Sequence, residues 1–176
     1  MIAEKRSSED TFFFTYHKQS GYIGFICAML VVVVLESVAV SFLLYNWSPL
    51  LHWIHLVLAN ISFVYLIIDL RLVVKNPIIL TNNTLFIKIG LRPQTTIPID
   101  NIKEILSGHI HYEEDKKNKE VLDLSLLGFD EPTFEAILHE PIKHGKNKTI
   151  SRIFFTIDNK HDFLQKISLK QKGHPF

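Results

Sequence analysis

The chain has a single cysteine, a net charge close to zero, and almost no charged residues over a long stretch near its start. Cys27 alone cannot form an intrachain disulfide, and it gives no sign of an oxidising compartment. A net charge of +1 gives the chain no strong positive electrostatic field that would favour binding of nucleic acid. The sequence has no phosphate-binding glycine loop, nucleophile elbow, HExxH or paired-cysteine motif. We therefore expect no cofactor, no resident metal and no nucleic-acid partner.

Charge is distributed very unevenly along the chain. Between Ser20 and Leu70 only Glu36 and Asp69 carry a formal charge, whereas the chain from Asn76 onward has fourteen Lys and Arg and thirteen Asp and Glu. This shift divides the chain into an apolar part and a water-soluble part.

The apolar part contains two long hydrophobic runs, residues 21–45 and 49–74, separated by the short stretch "NWS". Each run exceeds the roughly 20 residues that a helix needs to cross a bilayer, and neither has the polar stripe of a soluble helix. Ser48 followed by Pro49 suits the start of a second helix. The pattern predicts a transmembrane helical hairpin. The predicted division is an N-terminal segment (1–20), the hairpin (21–74) and a soluble domain (76–172).

Positive charges flank the open end of the hairpin. Lys5, Arg6 and Lys18 precede the first run, Arg71 and Lys75 end the second, and the connecting loop has no Lys or Arg. The positive-inside rule then predicts that both termini are cytoplasmic.

The N-terminal segment contains the aromatic stretch "TFFFTY" at residues 11–16. Two interpretations remain open from the sequence: a segment lying at the membrane interface, or a strand that docks on the soluble domain.

The second run has a stripe of polar and small residues spaced three and four apart, as in a heptad seam. The stripe consists of His52, His55, Ala59, Ser62, Leu66 and Asp69. Membrane helices use small and hydrogen-bonding residues where they touch, so we expect this stripe to face the first helix. In a hairpin closing at 46–48, Glu36 lies near the depth of Val57, which predicts a hydrogen bond from Glu36 to His55 or His52. The alternative is a contact between Glu36 and its counterpart in another copy across an oligomer interface, because Gly21, Ala28 and Ala39 form a small-residue face beside it.

The cluster of Glu36, His52, His55, Ser62 and Asp69 has two interpretations. It is either a structural contact that fixes the register of the hairpin, or a functional site such as a proton relay, a ligand site or a metal site, because ionisable residues inside a membrane are often functional. Asn60 lies away from the stripe, on the same side as Trp53. It predicts a second interface, with another copy of the chain or with a partner protein.

The sequence pattern of the soluble part predicts short strands followed by a helix. The helix is predicted from a cap at Asp158 to about Leu169. The predicted strands cover residues 78–80, 84–89, 95–99, 101–106, 120–126, 133–139 and 149–157. The expected fold class is α+β, with a strongly bent antiparallel sheet or barrel closed by a C-terminal helix.

Two stretches carry a resemblance to a known family. "IILTNNTLFIKIGLRPQTTIPIDNIKEI" and "SRIFFTIDNKHDFLQKI" resemble the first strands and the final strand and helix of bacterial pleckstrin-homology-like domains. Many members of that family carry two transmembrane helices just before the domain. The resemblance covers roughly residues 20–170. It implies a pleckstrin-homology-like fold held at the cytoplasmic face of a bacterial cell membrane, no known catalysis, and a link to envelope stress or to self-protection against bacteriocins.

Two further groups of residues are candidates for binding. Lys143, Lys146, Lys148 and Arg152 surround a glycine turn, and either contact anionic lipid headgroups, at about 1 kcal/mol each, or form an ordinary solvated turn. His109 and His111 share one strand face by period two and could bind a metal ion together with His139. Without a cysteine or a fourth placed ligand, the absence of a metal site is the simpler interpretation.

The sequence thus supports two hypotheses for function. The first is a non-enzymatic, membrane-anchored module that binds a membrane-protein partner, another copy of itself as a homo-oligomer, or the lipid bilayer. The alternative is a small membrane enzyme or transport accessory that uses Glu36, His52 and His55 for proton relay or metal binding.

Overall fold

Two long helices form an N-terminal hairpin. A computed structural model of the chain describes residues 11–92, 94–108, 111–112, 118, 120–127, 131–144 and 148–172. Helix α1 (Tyr22–Trp47) and helix α2 (Pro49–Lys75) are joined by Ser48 alone, so the connection is tighter than the predicted loop. Both helices are long and apolar enough to cross a membrane, and only 6% of each span is buried. A core helix of a soluble protein would be mostly buried, so this exposed apolar surface indicates membrane association.

The helices are longer than a bilayer requires. Their 26 and 27 residues correspond to about 39 and 40 Å at 1.5 Å per residue, whereas the hydrocarbon core is about 30 Å thick. The surplus lies at the end next to the soluble domain, where Tyr22, Ile26 and Val73 are buried in the core of that domain. Between this buried base and Ser48, roughly 20 residues of each helix lie outside the domain, which is the length that a bilayer crossing requires.

The soluble domain consists of two four-stranded sheets and a C-terminal helix. The first sheet has the order β1-β2-β3-β4, and the second has the order β5-β7-β8-β6. The strands are β1 (Phe12–Phe14), β2 (Ile78–Leu80), β3 (Thr84–Ile87), β4 (Thr95–Pro98), β5 (Ile102–Ser107), β6 (Val121–Asp123), β7 (Phe134–His144) and β8 (Lys148–Phe155). A 3-10 turn (Ile99–Asn101) joins the sheets, and helix α3 (Lys160–Lys172) ends the domain. The α+β class predicted from the sequence is confirmed.

The prediction of a purely antiparallel sheet is wrong at one strand. β6 pairs with β8 in parallel, while the other paired strands that the structure describes are antiparallel. Thirteen residues separate β5 from β6, more than a tight hairpin contains. β6 therefore need not pair with β5, and it lies at the far edge of the second sheet, where it runs in the same direction as β8.

Strand β1 settles the two interpretations of "TFFFTY" in favour of the docked strand. Phe12, Phe13 and Phe14 lie opposite Leu80, Ile79 and Ile78, respectively, on β2. The alternation of a strand places Phe14 in the core and leaves Phe13 exposed. A segment that precedes the hairpin therefore completes the sheet that follows it, and it covers an edge that would otherwise be open to pairing with other chains.

One hydrophobic core joins the two sheets, α3 and the base of the hairpin. At its centre, Phe163 of α3 is fully buried. Its ring centroid lies 5.3 Å from that of Phe14, 5.2 Å from that of Phe134 and 5.9 Å from that of Phe155. These edge-to-face contacts hold the helix against β1, β7 and β8 at once.

The predicted cap of α3 is wrong by one residue. Asn159 supplies the cap, because its side-chain oxygen accepts the N–H of Asp162 at 3.3 Å. The Asp158 carboxylate instead accepts the backbone N–H groups of Lys18 and Gln19, at 3.2 and 3.0 Å. Asp158 is one residue too far from the helix to cap it, and it fixes the turn that leads into α1.

Candidate functional site

The hairpin and the domain meet at Asp69. This residue lies in the last two turns of α2 and is half-buried. Its carboxylate accepts a hydrogen bond from the Tyr22 hydroxyl in the first turn of α1, and its other oxygen accepts the backbone N–H of Leu91 at 2.9 Å. One side chain thus connects both membrane helices to the turn between β3 and β4. We call this arrangement of Asp69, Tyr22 and Leu91 the Asp69 clamp.

Gly90 allows the β3–β4 turn to approach Asp69 this closely. Its φ angle is +52°, which favours glycine. A Cβ atom at this position would collide with the Asp69 carboxylate and lie 3.1 Å from a methyl group of Val73. The clamp therefore depends on a residue without a side chain next to the carboxylate.

The same turn is tied to the second sheet. The guanidinium group of Arg92 donates hydrogen bonds to the carbonyl oxygens of Ser125 and Leu126, with the second at 2.9 Å. Because Ser125 and Leu126 lie two and three residues after the end of β6, the turn that receives the hairpin bridges the two sheets.

Tyr16 supports the clamp from the N-terminal segment. Its side chain is fully buried, and its hydroxyl group donates to the carbonyl oxygen of Lys88 at 3.3 Å. Burial is the main cause that raises the pKa of Tyr16 to about 12, and the nearby Asp69 carboxylate raises it further. The phenol is therefore protonated at neutral pH and remains a hydrogen-bond donor beside the clamp.

His52 lies near the tip of the hairpin. Its Nδ1 atom is 3.2 Å from the carbonyl oxygen of Ser41. Its ring packs edge-on against Tyr45 and Trp53, each at a centroid distance of 5.6 Å. His52 thus joins the two helices at the tip, well away from the Asp69 clamp.

The predicted hydrogen bond from Glu36 to His55 or His52 is not formed within the part of the chain that the structure describes. The Glu36 side chain is exposed on the outside of the hairpin, and Nε2 of His55 is buried without a hydrogen-bond partner. The cause is the rotation of α1. Its half-buried residues recur at Leu30, Val33, Ser37 and Leu44, and at about 100° per residue Glu36 lies roughly 90° from that line.

Ser62 also departs from the predicted stripe. It is exposed, and its hydroxyl donates to the carbonyl oxygen of Leu58 at 3.0 Å. Phe63 is half-buried in its place, because the observed contact line on α2 is rotated slightly from the predicted one. The other members of the stripe, His52, His55, Ala59, Leu66 and Asp69, are half-buried.

Asn60 is exposed on the hairpin, and its amide nitrogen donates to the carbonyl oxygen of Leu56 at 2.8 Å. Like Glu36, it places a polar group on a surface that is otherwise apolar.

In the structure, two side chains of the predicted cationic patch are already engaged in other contacts. Lys143 is exposed, and Lys146 lies outside the described residues. The ammonium group of Lys148 donates to the carbonyl oxygen of Val121 at 2.7 Å, and Arg152 forms an ion pair with Glu135 at 3.6 Å. Lys148 and Arg152 are thus engaged in contacts within the domain.

Glu135 is a buried charge that the sequence did not reveal. Its side chain is fully buried on the face of β7 opposite the core. It accepts the backbone N–H of His111 at 3.1 Å and lies 3.3 Å from Nδ1 of the same residue, in addition to its ion pair with Arg152. Strand alternation predicts that Glu135 faces away from the core. Its burial, however, also depends on His111 and Tyr112, which lie against this face of the sheet, with the Tyr112 ring centroid 5.3 Å from that of Phe154.

The two described histidines among the proposed metal ligands, His111 and His139, show no metal-binding arrangement. His111 contacts Glu135, His139 is exposed, and His109 is outside the described residues. Across the part of the chain that the structure covers, no group of three or more His, Cys, Asp or Glu is arranged to hold a metal ion.

Comparisons of this chain with protein-family models, with curated proteins and with solved structures give no significant match. The resemblance to pleckstrin-homology-like domains therefore stays a prediction, and the function has to be argued from the geometry of this chain.

Proposed function

We propose that this chain is a non-enzymatic, membrane-anchored module. In this proposal the hairpin crosses a bacterial cell membrane and holds a pleckstrin-homology-like domain at its cytoplasmic face. Its role is to bind a protein in the bilayer, either a membrane-protein partner or another copy of itself. The observation that carries the proposal is the Asp69 clamp, which joins both helices to the soluble domain without a flexible linker.

The hydrophobic core that the hairpin shares with the domain supports the proposed function. Tyr22 and Ile26 of α1 and Val73 of α2 are buried together with residues of both sheets. A tether that served only as an anchor would not need its helices packed into the domain. A rigid joint means that a change in how the hairpin packs in the bilayer would also change the position of the domain.

Strand pairing supports the proposed topology. β1 precedes the hairpin and β2 follows it, and the two strands are hydrogen-bonded to each other. Two crossings return the chain to the side from which it started, as this pairing requires. The Lys and Arg residues at the open end of the hairpin favour the cytoplasm as that side.

The arrangement of the domain is compatible with a pleckstrin-homology-like fold. Two four-stranded sheets share one core, and a C-terminal helix packs into it through Phe163. The parallel strand β6 is a departure from the expected antiparallel pattern. The resemblance further suggests a role in envelope stress or in self-protection against bacteriocins.

The other candidate activities have less support. A proton relay or metal site built from Glu36, His52 and His55 needs these side chains to converge, yet Glu36 lies on the outer surface of the hairpin while the two histidines lie between the helices. Headgroup binding by the cationic patch needs free charges, yet Lys148 and Arg152 are held within the domain. Exposed polar residues on the hairpin favour protein binding in the bilayer.

Cysteine labelling in intact cells tests the proposed topology. In a Cys27→Ser background, we expect a membrane-impermeant maleimide added outside to label Asn46→Cys at the hairpin tip. Lys143→Cys in the domain should react only after the membrane is permeabilised. Both side chains are exposed, so accessibility within the protein does not limit either reaction. The opposite pattern, or equal labelling of both positions from outside, would refute the proposed topology.

A further inference from the structure

We infer that the hairpins of neighbouring copies of this chain bind each other head to tail in the bilayer, with Glu36 of one copy hydrogen-bonded to Asn60 of the next. This inference rests on the proposed function, because it requires that the hairpin spans a membrane. It specifies the partner as a second copy and the contact as a carboxyl–amide pair.

Glu36 and Asn60 lie within about one to one and a half helical turns of each other in depth. Each is twelve residues from Ser48, at 48 − 36 and 60 − 48, which corresponds to about 18 Å along the helix at 1.5 Å per residue. That places both side chains near the middle of a hydrocarbon core about 30 Å thick. The contacts between the helices, His52 with Ser41 near the tip and Asp69 with Tyr22 near the base, align residues whose numbers sum to 91–93. In this register Asn60 lies three to five residues, about 4.5–7.5 Å, nearer the domain than Glu36. The two side chains reduce this difference, because each leans toward the N-terminal end of its own helix and the helices are antiparallel.

Both side chains are exposed where a single hairpin would place them against lipid. Polar groups in hydrocarbon are unfavourable unless a partner satisfies them. One N–H of the Asn60 side-chain amide donates to the carbonyl oxygen of Leu56. The second N–H and the carbonyl oxygen of this amide can form hydrogen bonds with another group. A carboxylic acid in its protonated form offers one donor and one acceptor, so it can form two hydrogen bonds with that amide.

Glu36 and Asn60 lie on opposite faces of the hairpin, that is, on opposite sides of the plane that contains the two helix axes. The Tyr22–Asp69 contact marks one face, and the ring cluster of Tyr45, His52 and Trp53 marks the other. Counting about 100° per residue on each helix puts Glu36 on the face of the Tyr22–Asp69 contact and Asn60 on the face of the ring cluster.

This placement determines the symmetry of the contact. A two-fold dimer brings identical faces together, so a dimer formed through Glu36 would leave Asn60 of both copies in lipid. A head-to-tail contact satisfies both residues of every copy with a single type of interface. Heterologous contacts of this kind build closed rings or open chains, so we expect assemblies larger than a dimer.

Disulfide cross-linking in native membranes tests the contact without altering Glu36 or Asn60. Val32 and Val64 are exposed at 43% and 52%. Each lies one turn toward the domain from Glu36 or Asn60, respectively, and both are sixteen residues from Ser48. In a Cys27→Ser background, differently tagged chains carrying Val32→Cys or Val64→Cys should cross-link to each other when co-expressed. A chain with both substitutions should give a ladder beyond the dimer. Disulfide formation within one hairpin is prevented because the two cysteines lie on opposite faces.

Matched variants show whether the carboxyl–amide pair holds the contact. Adding Glu36→Leu should lower the cross-linked fraction roughly three- to tenfold, in line with interhelical hydrogen bonds in membranes. Glu36→Gln should largely preserve it, because an amide can also pair with an amide. Replacing Val32→Cys by Leu35→Cys, which is exposed on the back of α1, should give little cross-linking.

Three results would overturn the inference. Cross-linking of Val32→Cys chains with one another, without a Val64→Cys chain, would show a two-fold contact. Unchanged cross-linking in the Glu36→Leu variant would show that the polar pair does not hold the copies together. The absence of any cross-link in chains whose labelling agrees with the proposed topology would refute self-association while leaving the anchored module intact.

Discussion

Replacing Asp69 with alanine is expected to lower the free energy of unfolding by about 3 kcal/mol. The substitution removes the acceptor of both the Tyr22 hydroxyl and the Leu91 N–H. Hydrogen bonds to a charged acceptor contribute about 1.5–3 kcal/mol each, and the two donors would be left without their partner near the base of the hairpin. The measurement is chemical denaturation of the full chain in a mild detergent, together with amide hydrogen exchange at Leu91.

The matched control for this prediction is Asp69→Asn. Asparagine keeps the shape of the side chain and one acceptor oxygen, so the free energy of unfolding should fall by less, about 1 kcal/mol. Exchange at Leu91 should be much faster in Asp69→Ala than in Asp69→Asn. If Asp69→Ala were as stable as the unmodified chain and its Leu91 amide equally protected, the clamp would not join the hairpin to the domain.

Replacing Phe163 with alanine should have a comparable or larger effect, about 3–5 kcal/mol. Phe163 is fully buried and its ring contacts Phe14, Phe134 and Phe155. Truncation would leave a cavity at the point where α3, the N-terminal strand and the second sheet meet. Thermal unfolding in detergent, followed by circular dichroism, measures the decrease in stability.

Leu169→Ala provides the control on the same helix. Leu169 is 59% exposed, so its truncation should change the stability by no more than about 0.5 kcal/mol. Similar melting temperatures for the Phe163→Ala and Leu169→Ala variants would show that α3 does not close the core as described.

The sequence predicted the hairpin because hydrophobic length is a strong local signal, and it predicted most strands because short β-rich runs were bounded by turn residues. It did not predict the direction of Glu36. In α1 nearly every residue is apolar, so the sequence does not distinguish the face that touches α2 from the face that touches lipid. That choice depends on how the two helices pack against each other, and the observed contact line passes through Ser37.

The main interactions of the junction were also hidden, because each links residues far apart in the chain. Asp69 was placed in the stripe that faces α1, but no local pattern in the sequence links it to the Tyr22 hydroxyl or to the backbone N–H of Leu91. The burial of Glu135 depends in the same way on His111, 24 residues before it. Strand β6 departs from the expected pattern because the chain between β5 and β6 determines which edge of the sheet it reaches.

The central claim is that the hairpin and the domain form one unit, with the chain before and after the hairpin on the same side of the membrane. Disulfide formation between Phe13→Cys and Ile79→Cys tests it most directly, because these residues lie directly opposite each other on β1 and β2, at a spacing that a disulfide can bridge. In a Cys27→Ser background, oxidised in native membranes, mass spectrometry should find the two positions linked. The pair Phe13→Cys and Thr96→Cys should stay reduced, because Thr96 lies three strand spacings away on β4, about 14 Å. Failure of the first pair to link, or equal linking of both pairs, would contradict the account.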